Sequence, residues 1–316
     1  MRFVTFRRPD GSARLGALRT DDGVVDLAAV APDEPAFRSM LELIAEGERG
    51  RSAAAAACDR AASGVASGAQ PFVHPGGSVR LLAPIPRPRR NVFCVGLNYP
   101  SHVEQNARAL GFVPEIAPVP LFFTKPTTAV SGPGNGILLD PRLTSKLDYE
   151  VELGVVIGTG GTWIDETEAM EHVFGFTLVN DVSARDLQWR TSQMFIGKGL
   201  DSFCPSGPWI ADRAEVDDAA DLELTCSVNG EVRQRDSTAH MLFGVARIIA
   251  ELSRGLTLEA GDVIATGTPG GCGYQLVPPR FLAVGDVVEC AAPGLGSLVN
   301  PVIPWVAPQE RRPMPE

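Results

Sequence analysis

Lysine is almost absent from this 316-residue chain: of 28 basic residues only Lys125, Lys146 and Lys198 are lysines, leaving 28 − 3 = 25 arginines. Codon bias accounts for such a count, but so does a need for a compact, tunable ammonium at the surviving positions. Long apolar runs are missing as well. No segment approaches the roughly 18 uninterrupted apolar residues of a membrane span, and the N-terminal MRFVTFRRPDG lacks the apolar core of a signal peptide. The expectation is a soluble, cytoplasmic protein. There is no basic block: 38 acidic residues against 28 basic ones give a formal charge of −10, which argues against nucleic acid or an anionic membrane as partner. A small anionic substrate remains compatible with that charge if local cations hold it. Clustered cysteine is absent too. Cys58, Cys94, Cys204, Cys226, Cys272 and Cys290 form no CxxC pair or other metal-ligand spacing, so they read as reduced, mostly buried thiols.

What is present begins with organisation. Residues 1–84 read as a small N-terminal α+β unit, with short alternating segments (RFVTF, GVVDL) and a helix through SAAAAACDRAAS. LLAPIPRPRRN, residues 81–91, reads as an extended exit linker, because proline fixes φ and removes ladder donors. Beyond it strand-like runs dominate: NVFCVGL, EVELGVVIG, FGFTLVN, LELTCSV, DVIATG and DVVEC. Asn229-Gly230 predicts a tight hairpin turn. Asp165 followed by Glu168 predicts a capped short helix through EAMEHV. A longer helix is expected after Ser237 or Thr238, with Met241, Val245, Ile248, Ile249 and Leu252 on one face and Gly255 as its stop. Many strands with few helices between them predict a mainly β architecture with some α over residues 85–305. Residues 306–316 form a tail, rich in proline and mixed charge, that is expected to be poorly ordered.

The stretch LDYEVELGVVIG, residues 147–158, raises a chemical question. In a strand Glu150, Glu152 and Gly154 share one face, opposite Val151, Leu153, Val155 and Ile157. An antiparallel strand with one wet face has this pattern. So does a strand whose two acids face a cation, and hard carboxylate oxygens without soft ligands favour Mg²⁺, Mn²⁺ or Ca²⁺ over zinc. A third oxygen ligand must then come from elsewhere, and Asp181 in NDVSARDLQ is a candidate, although a lone aspartate at a strand end is more often a turn residue. His102 in GLNYPSHVEQN is in the same position: alone, it is as readily a structural imidazole as a base. The Gly-rich TGTPGGCG lacks the Lys-Ser/Thr of a phosphate loop and reads as a turn after a strand, with backbone donors near a substrate as the functional alternative.

Taken in order, CVGLNYPSH, PLFFTKPTTAVSGP, LDYEVELGVVIG, NDVSARDLQ, GKGLDSFCPSGP, NGEVRQRDSTAHM and GDVIATGTPGGCG resemble the fumarylacetoacetate hydrolase family over about residues 91–303. The resemblance implies mixed β-sheets rolled around a metal site, a small N-terminal domain and a homodimer. It implies Glu150, Glu152 and Asp181 as Mg²⁺ ligands, with Mn²⁺ or Ca²⁺ as alternatives, and a small anionic oxo acid as substrate. His102 would activate water for attack on an acylpyruvate or related 1,3-diketo acid, and the C–C bond would break to leave an enolate stabilised by the metal. Lys198 would stabilise negative charge at the substrate oxygens. Tyr99, Lys125, Arg185, Gln188, Gln234 and Thr268 would contact the substrate.

One departure qualifies the hydrolytic expectation. Many relatives carry HxxE, whereas here Gln105 occupies the third position after His102 and the acid, Glu104, the second. On a helix the second position points about 200° from the histidine, so Glu104 orients the ring only if the segment is extended. Decarboxylases, tautomerases and isomerases of 2-oxo diacids use the same cradle without an activated water, and they are the alternative reading.

Overall fold

Alternation along one central strand sets the layers. In the computed structural model, which describes residues 1–8, 10–66, 72–216 and 218–306, the strand Val151–Ile157 is buried along its whole length. Val151, Leu153, Val155 and Ile157 pack with Leu224, Cys226, Val288, Cys290 and Leu298 of a second sheet. On the opposite face Val156 joins a cluster with Phe3, Leu15, Phe37, Met40, Leu43 and Ile44 from the N-terminal region. Glu152 and Gly154 share that face. The strand therefore has no wet face, and its carboxylates need a reason other than solvation.

The larger sheet has twelve strands. From one edge the main path runs Val73–His74, Val24–Asp26, Ala13–Leu18, Arg2–Arg7, Cys204–Asp212, Val173–Asn180, Val151–Ile157, Val263–Ala265, Val92–Gly96 and Leu121–Lys125. Along this path only Val263–Ala265 and Val92–Gly96 pair in parallel. The second sheet has five strands, including the hairpin Glu223–Val228 and Glu231–Ser237. Its turn is Asn229-Gly230, with φ of +54° and +80°, the positive pair that a two-residue hairpin requires.

The N-terminal strands extend the large sheet, since Arg2 and Phe3 pair with Ala211 and Ile210. The proline-rich connection runs beside the first strand: Leu82 N donates to Thr5 O, and Thr5 Oγ1 donates to Pro84 O at 2.6 Å. The helix expected through SAAAAACDRAAS lies inside Gly47–Ala66. Two helix expectations need correction. EAMEHV forms only a 3₁₀ turn, Ala169–His172, because Asp165 spends its side chain on Thr167 and leaves Glu168 without a partner cap. After Ser237 the chain makes a 3₁₀ turn, Thr238–His240, and the α-helix starts only at Val245. Its buried face is Val245, Ile248, Ile249 and Leu252, and Gly255 follows at φ +79°. Of the tail, 307–316 lie outside the described residues. All six cysteines are free thiols, five of them buried.

Candidate active site

The strand ends that meet in the middle of the large sheet carry the charge. Glu150 immediately precedes the strand Val151–Ile157, and Asp181 immediately follows Val173–Asn180. These two strands are antiparallel neighbours, with Val151 opposite Asn180, so residues before one and after the other are brought side by side. Asp181 N donates to Glu150 O, and Asn180 Oδ1 accepts from Glu150 N. Glu150, Glu152 and Asp181 each present a carboxylate oxygen within 4.8 Å of the others, and all three are buried.

Three cations surround them. Lys198, at the end of the short helix Phe195–Lys198, donates from Nζ to Glu150 Oε2 and Asp181 Oδ2, both at 2.7 Å. Lys125, ending its strand, donates to the other oxygen of Asp181 and, at 3.1 Å, to Val182 O. Arg185 bonds Asp148 Oδ2 through Nε at 2.9 Å and Gln188 Oε1 through Nη1 at 3.0 Å. Its Nη2 lies 2.7 Å from Glu150 Oε1 but off hydrogen-bonding alignment, so those N–H groups remain unspent in a buried position.

The balance is incomplete. Counting Asp148 with the three clustered acids gives four carboxylates against Lys125, Lys198 and Arg185. Glu152 is the one left over: Gly267 N donates to its Oε2 at 2.8 Å, and no ion pair neutralises it among the described residues. Burial, and then the charges of Asp181 and Glu150, push its pKa well above the carboxylate range. Glu150 is pulled below that range because Lys198 and Arg185 outweigh its burial. A hard divalent cation among three buried carboxylates, one of them unpaired, matches both the donor set and the charge deficit.

A cavity of about 260 Å³ opens over these groups, lined by His102, Glu150, Glu152, Arg185, Gln188, Lys198 and Thr268 of the expected residues. That is below the roughly 300–1,000 Å³ of drug-sized sites and suits a small acid. Asp181 and Lys125 lie behind it. Tyr99 does not line the cavity: it caps the helix Pro100–Leu110, and its hydroxyl is buried without a hydrogen-bond partner. Gln234 is also set back. Its Oε1 accepts from Val151 N at 3.0 Å, and its Nε2 donates to Thr268 Oγ1 at 2.8 Å and Pro269 O at 2.9 Å, so it braces the site and leaves nothing for a substrate.

His102 sits in the first turn of Pro100–Leu110 and is buried. Burial pushes its pKa down to about 4, Glu150 opposes this, and Arg185 and Lys198 add to it. Because the segment is helical, Glu104 is turned to solvent and does not orient the ring. Gln105 instead accepts from Gly271 N at 2.8 Å, and Ser101 Oγ accepts from Gly270 N at 3.1 Å, which ties the helix to the Gly-rich turn. The neighbours of His102 Nδ1 are Gln275 Nε2 at 3.1 Å and Cys272 Sγ at 3.7 Å. The backbone donors of TGTPGGCG are largely spent inside the protein: Gly267 N on Glu152, Gly270 N on Ser101, Gly271 N on Gln105 and Gly273 N on Asp148, which also accepts from the following Tyr274 N. Asp148 and Gln275 escaped the sequence reading. Asp148 was visible only as one more acid two positions before Glu150, and the role of Gln275 depends on a contact 173 residues away.

The family model described as fumarylacetoacetate (FAA) hydrolase C-terminal matches residues 91–303, and the chain belongs to the fumarylacetoacetate hydrolase family. It is an enzyme of that family with a mainly β fold of mixed sheets. Among curated relatives, an oxaloacetate tautomerase of Bacillus subtilis is 44% identical over 231 residues, covering 73% of this chain and 75% of the relative. Among solved structures, a fumarylacetoacetate hydrolase from the psychrophile Exiguobacterium antarcticum superposes with a TM-score of 0.78 at 38% identity, covering 96% of this chain and 100% of the other. A maleylpyruvate hydrolase from Sphingobium sp. SYK-6, solved with manganese(II) and pyruvate, gives a TM-score of 0.74 at 28% identity, covering 96% and 99%. Among the described residues no helix is long and apolar enough to cross a membrane.

Proposed function

We propose that this enzyme is a metal-dependent tautomerase of a small 2-oxo diacid such as oxaloacetate, and not the C–C hydrolase that the family's name suggests. The observation that carries this reading is the surroundings of His102. Hydrolysis needs a base that removes a proton from water, and such a base is normally oriented by an acid. Here Glu104 faces solvent, Gln105 is committed to the Gly-rich turn, and the groups at Nδ1 are an amide and a thiol.

Tautomerisation asks for less. It moves one proton between C3 and the C2 oxygen of a 1,3-dicarbonyl acid, whose C3–H is already acidic, so charge stabilisation at the oxygens carries the rate. A divalent cation held by Glu150, Glu152 and Asp181 would supply Lewis-acid polarisation of the oxo group, Mg²⁺ and Mn²⁺ being the hard cations that fit these donors. Arg185, which lines the cavity and whose Nη2 makes no hydrogen bond, is suited to a substrate carboxylate. Lys198 is buried between Glu150 and Asp181, its ammonium favoured by those acids against the cost of burial, and it can donate to the oxygen on which charge develops. His102, neutral because it is buried, adds a hydrogen bond at the same cavity wall. The identity with an oxaloacetate tautomerase supports the assignment.

The test is a Mg²⁺-dependent assay with oxaloacetate and acetylpyruvate side by side, following enol absorbance and products. Rapid keto–enol exchange of oxaloacetate without cleavage is the expected result. Acetate plus pyruvate from acetylpyruvate at a comparable rate would return the assignment to hydrolysis, and pyruvate from oxaloacetate would make it a decarboxylase.

A further inference from the structure

Gln275 stands where an acid partner for His102 would stand. It closes the 3₁₀ turn Gly273–Gln275, and its Oε1 accepts from Gly271 N and Cys272 N, both at 3.1 Å. Swapping the amide oxygen for the nitrogen would set donors against donors, so the side chain has a single orientation. Its Nε2 then faces His102 Nδ1 at 3.1 Å, with the His102 carbonyl at 3.3 Å and the Tyr274 hydroxyl at 3.0 Å. Its two hydrogens have three acceptors within reach, the His102 carbonyl being the most distant; with the nearer two engaged, Nδ1 accepts and the ring proton sits on Nε2.

We infer that Gln275 is a positioning residue that holds His102 in the Nε2–H tautomer, and that it thereby confines the site to proton-shift chemistry. The inference rests on the tautomerase reading above and specifies its cause. A neutral imidazole with its proton on Nε2 and its Nδ1 lone pair engaged has no free lone pair with which to deprotonate water.

Glutamate in place of Gln275 reverses the pattern. One carboxylate oxygen keeps the two backbone N–H groups, the other accepts from Nδ1–H, and the lone pair moves to Nε2. A water donating one hydrogen to Nε2 then satisfies that lone pair. In an acylpyruvate, Nε2 takes a proton from that water, its oxygen bonds to the distal carbonyl carbon, and the bond from that carbon to C3 breaks. The electron pair stays on the pyruvate fragment as its enolate, which takes the proton back from His102. One water is consumed, and one carboxylic acid and one pyruvate are formed.

The experiment compares wild type, Gln275→Glu and Gln275→Met as Mg²⁺-loaded full-length protein, with His102 assigned in ¹⁵N–¹H spectra of ¹⁵N-histidine-labelled protein by its loss in His102→Gln. Wild type is expected to show a protonated Nε2 and a bare Nδ1. Gln275→Glu is expected to show the reverse and to raise acetylpyruvate hydrolysis about 10²-fold, within the range for a general base, while oxaloacetate exchange falls. Gln275→Met, which lacks the donor, is expected to show both tautomers, and it tests the inference if the glutamate variant does not fold. A wild-type proton on Nδ1, or a hydrolysis gain with the tautomer unchanged, overturns the inference. Efficient hydrolysis by wild type with Nε2 still protonated overturns the tautomerase reading, and with it the claim that Gln275 restricts the chemistry, while the spectrum separately verifies the hydrogen-bond assignment.

Discussion

Glu152 shows what one residue costs and contributes. Its pKa is raised by burial and by Asp181 and Glu150, so between the ordinary carboxylate range and that raised value the folded, metal-free protein binds more protons than the unfolded chain, and its stability falls as pH rises. Removing the charge should help the metal-free fold and harm the loaded one. Glu152→Gln is expected to raise the unfolding temperature in EDTA, by about 1–4 kcal/mol of stability, and to reduce the shift produced by Mg²⁺; equal shifts in both proteins would remove Glu152 from the metal site. His102 has the opposite sign. Its folded pKa of about 4 lies below the free imidazole value, so its neutral form is favoured and stability is lost as pH falls from about 6.5 to about 4. Activity of the loaded enzyme is therefore expected to show no inflection near 6.5. A midpoint there in the kcat/KM profile would mean that the imidazole is solvated in the working state. At this scale the sequence was informative about charge and poor about partners. Period-two spacing put Glu150 and Glu152 on one face, the need for a third oxygen ligand made Asp181 a candidate, and family resemblance strengthened it and added Lys198. Gln275 and Asp148 act through contacts made by remote loops, and no local pattern marks them.

Elements differ in how far local chemistry decides them. The Asn229-Gly230 hairpin was legible because positive φ at both positions is a local requirement. The run EAMEHV was not, because Asp165 turned to Thr167 and left only a 3₁₀ turn. The side taken by Glu104 stayed open for a related reason: helix or extended chain decides which side of His102 it occupies, and Pro100 at the helix start with Gly111 at its end decided for helix. The turn after Val263–Ala265 has both local and remote constraints. Gly267 has φ +98°, a Cβ there would lie 2.7 Å from Asn98 Cβ, and its N–H serves Glu152. Gly267→Ala is expected to cost about 2–5 kcal/mol in urea unfolding, combining left-handed strain with overpacking, and to weaken Mg²⁺ binding. Gly230→Ala, at φ +80° with nothing within 4 Å of the added carbon, should cost only about 1–2 kcal/mol and leave Mg²⁺ binding unchanged. Similar losses at both positions would show that strain alone, and not the close approach to Asn98, is at work.

On the scale of the molecule, the division expected near residue 84 meets a sheet that does not divide there. Arg2–Arg7 hydrogen-bonds to Cys204–Asp212, and Phe3, Leu15, Phe37 and Leu43 pack with Val156, Phe174, Val179 and Ile210. The sequence separated the segments because a proline-rich stretch lies between them; it could not show that this stretch is strapped along the first strand through Thr5. The face of Val151–Ile157 that presents Glu152 to the cavity is the face that Val156 buries against the N-terminal cluster. The candidate metal cradle thus rests on a strand whose far end depends on residues 1–84. Deleting them would bare Val156, Phe174, Val179 and Ile210 and leave an unpaired edge at Cys204–Asp212, both of which promote aggregation. A chain of residues 85–316 is expected to be insoluble or to associate non-specifically in size-exclusion chromatography. A soluble, monodisperse fragment with native Mg²⁺ affinity would show instead that the second sheet and the remaining strands hold the cradle unaided.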